Sequence, residues 1–203
     1  MKISSGRAVR TTCPPSRRRY PKEDGYAQFL ESNGGGSNAF TASTHTNYFF
    51  AVQPSALREA MDRLAQFFVS PILVKDQVSR EVLAVNAEND KNQQSDGWRK
   101  DQLLRSLASK GHPYHKFGTG SNVSLNVPNI TGRLSEWYHY HYGAHVMTLA
   151  VVGNQPLDQL QVCASTPPLS LSSGLYWPPP SLDLVHQASI GLHLLCLHPV
   201  IST

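Results

Sequence analysis

Apolar residues recur at helical spacing through the middle of the chain. Leu57, Ala60, Met61, Leu64, Ala65 and Phe68 stand at i, i+3, i+4, i+7, i+8 and i+11, which lines one stripe of a helix and predicts an amphipathic element against a core. Ser55 precedes it as the expected N-cap. A shorter helix is predicted around Tyr26, Phe29 and Leu30, stopped by Asn33-Gly34-Gly35-Gly36, a run able to supply positive φ. Residues 38–43 and 47–53 are rich in β-branched and aromatic side chains and predict two strands, paired as a hairpin. Val78, Val82 and Val85 form the stripe of a helix starting at Lys75, and Ser95-Asp96 opens another that carries Trp98, Leu103, Leu104 and Leu107 and ends at Gly111-His112-Pro113. Leu134, Trp137, Tyr138 and His141 are helically spaced, and 146–152 reads as a buried strand. Helices and strands mix without a strict βαβ repeat, so the fold class is α+β.

Outside this middle the pattern changes. Residues 1–19 form a basic leader, 20–161 the patterned domain, and 162–203 a Pro/Ser/Leu-rich tail in which Thr166-Pro167-Pro168 and Trp177-Pro178-Pro179-Pro180 argue against helices and interior strands. The expectation is an irregular tail.

Charge and cysteine content narrow the function classes. The net charge of +4 comes largely from Lys2, Arg7, Arg10, Arg17, Arg18, Arg19 and Lys22, with no acid among the first twenty-two residues. The basic leader, residues 1–19, contains no aromatic residue, and no basic stripe crosses the middle, which speaks against a nucleic-acid partner. No apolar run is long enough to span a bilayer. Cys13, Cys163 and Cys196 are odd in number, widely spaced and free of any C-x-x-C pair, so neither a disulfide framework nor a cysteine zinc site is expected. A reducing, cytoplasmic setting follows, with organellar targeting left open by the basic N-terminus.

Two blocks carry chemistry. The stretch from Arg80 to Asn92 sets Glu81 and Glu88 seven apart, close to two helical turns, so both carboxylates project from one face. Taken alone, such a pair reads as the solvated face of a helix. With Ala84-Val85, Ala87 and Asn89-Asp90-Lys91-Asn92 in register, however, the stretch resembles the helix that carries the third zinc ligand in the insulysin branch of the pitrilysin family, metallopeptidases with an inverted H-x-x-E-H motif. Upstream, residues 37–43 followed by 45–50 resemble that family's substrate-binding strand pair. The likeness spans about Tyr20 to Gln161.

The resemblance implies an incomplete pitrilysin-type domain, an antiparallel-rich sheet packed with helices. It assigns Glu88 as the glutamate zinc ligand and Glu81 as the supporting acid. Asn38, Ala39 and Phe40 would be the strand that holds an extended peptide by strand addition, the Asn38 side chain helping to hold it, and Trp98 and Thr119 would line the pocket beside the scissile bond. For Phe40 and Trp98, ordinary core packing is an equal alternative, and Asn38 after three glycines reads equally as a turn residue. Insulysins tend to carry an aromatic pocket residue where this chain has Asp101.

The H-x-x-E-H motif occurs nowhere in the chain. Counted back without a gap from Tyr20-Pro21, its three functional positions fall on Arg7, Arg10 and Thr11. A catalytic zinc needs three protein ligands and an open position, so a lone Glu88 would hold zinc weakly. His139 and His141, two apart, point to different faces, His145 lies across a helix–strand junction, and His112 and His115 flank Pro113-Tyr114 in a loop; none is expected to be a ligand. The expectation is a truncated chain of metalloendopeptidase descent, inactive alone. The alternatives are a non-catalytic module that binds extended peptides or pairs with other domains or a partner subunit of a peptidase, and an unstable fragment.

Overall fold

A computed structural model describes residues 20–22, 24–42, 45–165, 181–186 and 191–197. Helix α1 (Gly25–Ser32) leads into strands β1 (Gly36–Thr41) and β2 (His45–Ala51). Helices α2 (Leu57–Val69), α3 (Lys75–Asn92) and α4 (Asp96–Leu107) follow, then the short α5 (Asn122–Leu125), α6 (Ile130–His141), β3 (Met147–Gly153) and α7 (Leu157–Ser165). Strands β4 (Ser181–His186) and β5 (Gly191–Leu197) complete the sheet.

The sheet runs β1-β2-β5-β3-β4. β1 with β2, β2 with β5 and β5 with β3 are antiparallel; β3 and β4 are parallel and joined through α7, as a crossover connection requires. The α+β expectation and the antiparallel-rich sheet both hold. The core lies where α1, α2 and α7 meet the sheet. Leu30, Phe50, Leu57, Ala60, Val151 and Leu160 are buried there, and the Tyr26 ring meets Phe50 edge-on at 6.2 Å. The predicted α2 stripe is the one that packs, with Leu57, Ala60, Leu64 and Phe68 all buried.

Local chemistry sets the ends of these elements. Helix α1 closes in a Schellman motif: Gly34 takes φ +66, its N–H donates to Glu31 O, and Gly35 N–H donates to Leu30 O at 2.8 Å. Gly35 then passes so close to β2 that a Cβ there would lie 2.0 Å from Ala51 O. The Arg63 guanidinium sits between the rings of Tyr20 and Phe29, at 4.3 and 4.4 Å, and Tyr20 Oη donates to Asp62, so the start of the described chain is fastened to α2.

Three expectations need correction. Ser55 is not an N-cap: it lies inside a 3-10 turn, Pro54–Ala56, that runs straight into α2, because Pro54 with its fixed φ starts the helical path early. The first two strands begin and end two residues earlier than expected, since Gly36 and Ser37 are already extended. Residues 162–203 are not uniformly irregular: α7 continues to Ser165, and β4 and β5 lie beyond it, with β5 in the middle of the sheet. The prolines behind that expectation lie outside the described residues.

Candidate peptide-binding edge and carboxylate helix

The site residues fall into two groups on separate elements. Asn38, Ala39 and Phe40 lie in β1, which packs on β2 and α1. Glu81 and Glu88 lie on α3, whose neighbours are α5 and α6. Trp98 is half-buried on α4, and Thr119 sits in the loop between Pro113–His115 and α5.

β1 is the end strand of the described sheet. Ala42 N–H donates to His45 O at 2.8 Å, which makes that pair a hydrogen-bonded one. With the register Phe40↔Asn47 and Asn38↔Phe49, pairs alternate, so Asn38 and Phe40 exchange backbone bonds with β2. The backbone N–H and C=O groups of Ser37, Ala39 and Thr41 therefore face away from β2. Ala39 is buried by its methyl on the core side while Asn38 is exposed. The Asn38 carboxamide turns along the strand, and its Oδ1 accepts from the Ala39 N–H at 2.8 Å. Phe40 is half-buried, its ring edge-on to His45 at 5.8 Å. A small apolar cleft is bordered by Tyr26, Ser37, Asn38, Tyr48, Phe49, Leu64 and Phe67, from α1, β1, β2 and α2.

On α3, Glu81 and Glu88 are both half-buried. Burial, and secondarily the like charge of Glu88, push the Glu81 carboxyl above its ordinary range. The two share one electrostatic neighbourhood, as their spacing predicts.

The structure adds a clamp that spacing did not reveal. Thr119 Oγ1 donates to Asn89 Oδ1 at 2.9 Å, and Asn89 is only 6% exposed. Asn122 N–H donates to Asn86 Oδ1 at 2.8 Å, and Asn86 Nδ2 donates to Asp90 at 2.8 Å. Gly120 lies so close to the helix that a Cβ would meet Val85 Cγ1 at 2.8 Å. Thr119 is thus brought to the residue after Glu88, and Asn86 and Asn89, which flank Glu88, hold the loop. The only sequence signal for them was the polar run 86–92.

Asp101 is also a node. Its carboxylate accepts from Arg105 Nε at 2.7 Å and from Tyr114 Oη at 3.3 Å, and the Arg105 guanidinium stacks over the Tyr114 ring at 4.6 Å. A charged residue here ties the turn at Pro113–His115 to α4.

Three histidines serve local structure. His112 Nδ1 accepts from Tyr114 N–H, His115 Nδ1 bonds Ala108 O, and His139 Nδ1 bonds Ser135 O. Burial lowers the pKa of His141, whose ring packs on Trp137 at 4.8 Å. Among the described residues no group of three His, Cys, Asp or Glu side chains could hold a metal ion. Glu81 and Glu88 sit two turns apart, a rise of about 10 Å, and do not make the three-ligand set a catalytic zinc requires. No hydrolytic step follows from these residues. No helix among them is long and apolar enough to cross a membrane.

Comparison with known proteins agrees with this architecture. Residues 16–112 match the family Insulinase (Peptidase family M16). The chain is 45% identical over 149 residues to the Arabidopsis thaliana protein named insulin-degrading enzyme-like 1, peroxisomal, covering 70% of this chain and 15% of that protein. A Schizosaccharomyces pombe relative named as a zinc protease, mug138, is 42% identical over 150 residues, covering 71% of this chain and 16% of its own length. The crystal structure of pitrilysin superposes with a TM-score of 0.67 at 28% identity, over 83% of this chain and 19% of that one. The chain spans about 15% of the length of the curated relatives it matches. From the family match, these relatives and the shared pitrilysin fold, the chain belongs to the insulinase family, peptidase family M16, as a partial domain of the pitrilysin type.

Proposed function

We propose that this chain is a peptide-binding portion of an insulinase-family domain that does not hydrolyse peptides by itself. The observation that carries the reading is β1: an end strand whose Ser37, Ala39 and Thr41 backbone groups face away from the sheet, the arrangement to which an extended peptide adds as a further strand. Asn38, Ala39 and Phe40 form that edge, and by resemblance to the family Trp98 and Thr119 would line the pocket beside the scissile bond. Glu88 corresponds to a zinc-ligand glutamate and Glu81 to its supporting acid, but with no partner ligands among the described residues the pair serves no hydrolysis here. The substrates of the lineage are short unfolded peptides, and the three dispersed cysteines suit a reducing, cytoplasmic or organellar compartment.

Fluorescence anisotropy with a labelled unstructured peptide tests the reading. The chain should bind it, whereas Thr41→Pro, which removes an outward N–H from the edge, and Trp98→Ala should each weaken binding. Equal binding by all three forms would sink the proposal.

A second reading has its own observation. Helix α4 buries no residue, and Leu103, Leu104 and Leu107 on it and Leu83 on α3 are exposed, Leu107 by 74%. Such apolar surface suits a piece covered by other domains or by a partner subunit of the peptidase. On that reading the isolated chain self-associates and melts broadly, so a sharp, concentration-independent thermal transition of a monomer would exclude it.

A further inference from the structure

The join between α1 and β1 holds a reactive pair. Asn33-Gly34 is the one Asn-Gly step in the sequence. In such a step the backbone nitrogen of the glycine can attack the asparagine Cγ, because no side chain shields that nitrogen. The Cγ–Nδ2 bond breaks, ammonia leaves and a five-membered succinimide remains. Water then opens the ring, at the side-chain carbonyl to give aspartate or at the main-chain carbonyl to give isoaspartate. One water enters, one ammonia leaves, and nothing is oxidised or reduced.

Both reacting groups are tied down in the closed turn. The Gly34 N–H donates to Glu31 O at 3.1 Å, and Asn33 Nδ2 donates to Phe29 O at 2.8 Å. Asn33 is half-buried and Gly34 exposed, so solvent reaches the pair once the turn opens, and a helix terminus is where local opening costs least. The product does not suit the closed form. The last turn of α1 carries no basic residue, so a carboxylate at position 33 meets the negative end of the helix with no cation in that turn. Isoaspartate also adds one carbon to the main chain just upstream of Gly35, where a Cβ would lie 2.0 Å from Ala51 O and the N–H bonds Leu30 O at 2.8 Å.

We infer that Asn33 is a self-modifying site: it converts without an enzyme to aspartate and isoaspartate when the turn after α1 opens, and the conversion releases the entry of β1 from β2. Its functional consequence rests on the reading of β1 as the peptide-binding strand, since the modified chain loses the edge to which a peptide adds.

Storing the full-length chain at mildly alkaline pH and mapping it by mass spectrometry, with isoaspartate read by enzymatic methylation, tests the chemistry. Conversion should concentrate at Asn33 and run about thirtyfold more slowly than in a free peptide of residues 29–37, the factor set by two ordinary hydrogen bonds. Subdenaturing urea should narrow that gap. No conversion at Asn33 over the time set by that factor would overturn the site, and conversion as fast as in the free peptide would overturn its control by the turn. Amide exchange reads the consequence without any ligand: residues 36–41 should exchange faster in the stored chain, while stored Asn33→Ser, which cannot cyclise, should match its fresh form. Unchanged exchange in a converted chain would overturn the release of β1. Peptide affinity should fall in parallel with the modified fraction; a fresh chain that binds no peptide, yet converts and loosens at 36–41, would overturn the edge reading and leave the site standing.

Discussion

Thr119→Val replaces a hydroxyl by a methyl of similar shape and removes the 2.9 Å donation to Asn89 Oδ1, together with a longer 3.4 Å contact to Gly120 O. The acceptor is 6% exposed, so water does not readily take over. A net hydrogen bond contributes about 1 kcal/mol, and leaving its buried partner unsatisfied raises the loss to about 1–3 kcal/mol. For a chain of 203 residues, each 1 kcal/mol corresponds to about 2–4 °C in Tm. Urea unfolding should show a lower midpoint at unchanged slope, with amide exchange accelerating from Gly118 to Asn122 before anywhere in the sheet. Asn89→Ala should cost a similar amount, and the double variant little more than either alone, because both remove one contact. Fully additive losses would refute the clamp between loop and helix.

Other expectations test separate links. Gly35→Ala drives a Cβ to 2.0 Å from Ala51 O and 2.8 Å from the Val52 Cα; since both are backbone, the entry to β1 must move, with a loss of about 1–3 kcal/mol or more and weakened peptide binding in the anisotropy titration. Leu30→Ala, at a side chain with 0% exposure, should cost about 2–5 kcal/mol in chemical denaturation. Glu81 holds its proton to higher pH in the native than in the unfolded chain, so its contribution to stability is present in full below about pH 4.3 and is lost as pH rises through the raised native value. Glu81→Gln should flatten that fall and stabilise the chain at neutral pH; an unchanged pH profile would contradict the burial of Glu81.

The helices were legible where one physical signal dominated. In α2 the apolar period and the burial coincide residue by residue, and at Gly34 the only residue type at ease with φ +66 stands where the helix stops. Ser55 misled because a capping residue beside Pro54 is ambiguous: the ring of proline decides the backbone path, and the serine follows it. β4 and β5 were hidden by the prolines around them, and the insertion of β5 between β2 and β3 joins residues far apart in sequence, which no local pattern encodes. At the site, the shared face of Glu81 and Glu88 follows from helix geometry alone, and the raised Glu81 pKa accords with it. The Thr119–Asn89 bond spans thirty residues, and the Asn38–Ala39 contact depends on a single rotamer; both belong to tertiary structure.

Asp101 shows how a departure from the family pattern is absorbed. In place of an aromatic wall it supplies a carboxylate, and the fold pairs that charge at once with Arg105 and Tyr114. That charge fixes the turn at Pro113–His115 against α4.

The central claim is binding without hydrolysis. The most direct measurement incubates the full-length chain with a quenched fluorescent peptide in the presence of added zinc, with and without chelator, while anisotropy follows binding of the same sequence. The account expects saturable binding and a fluorescence signal no higher than the protein-free control. Turnover above that control that the chelator abolishes would contradict it.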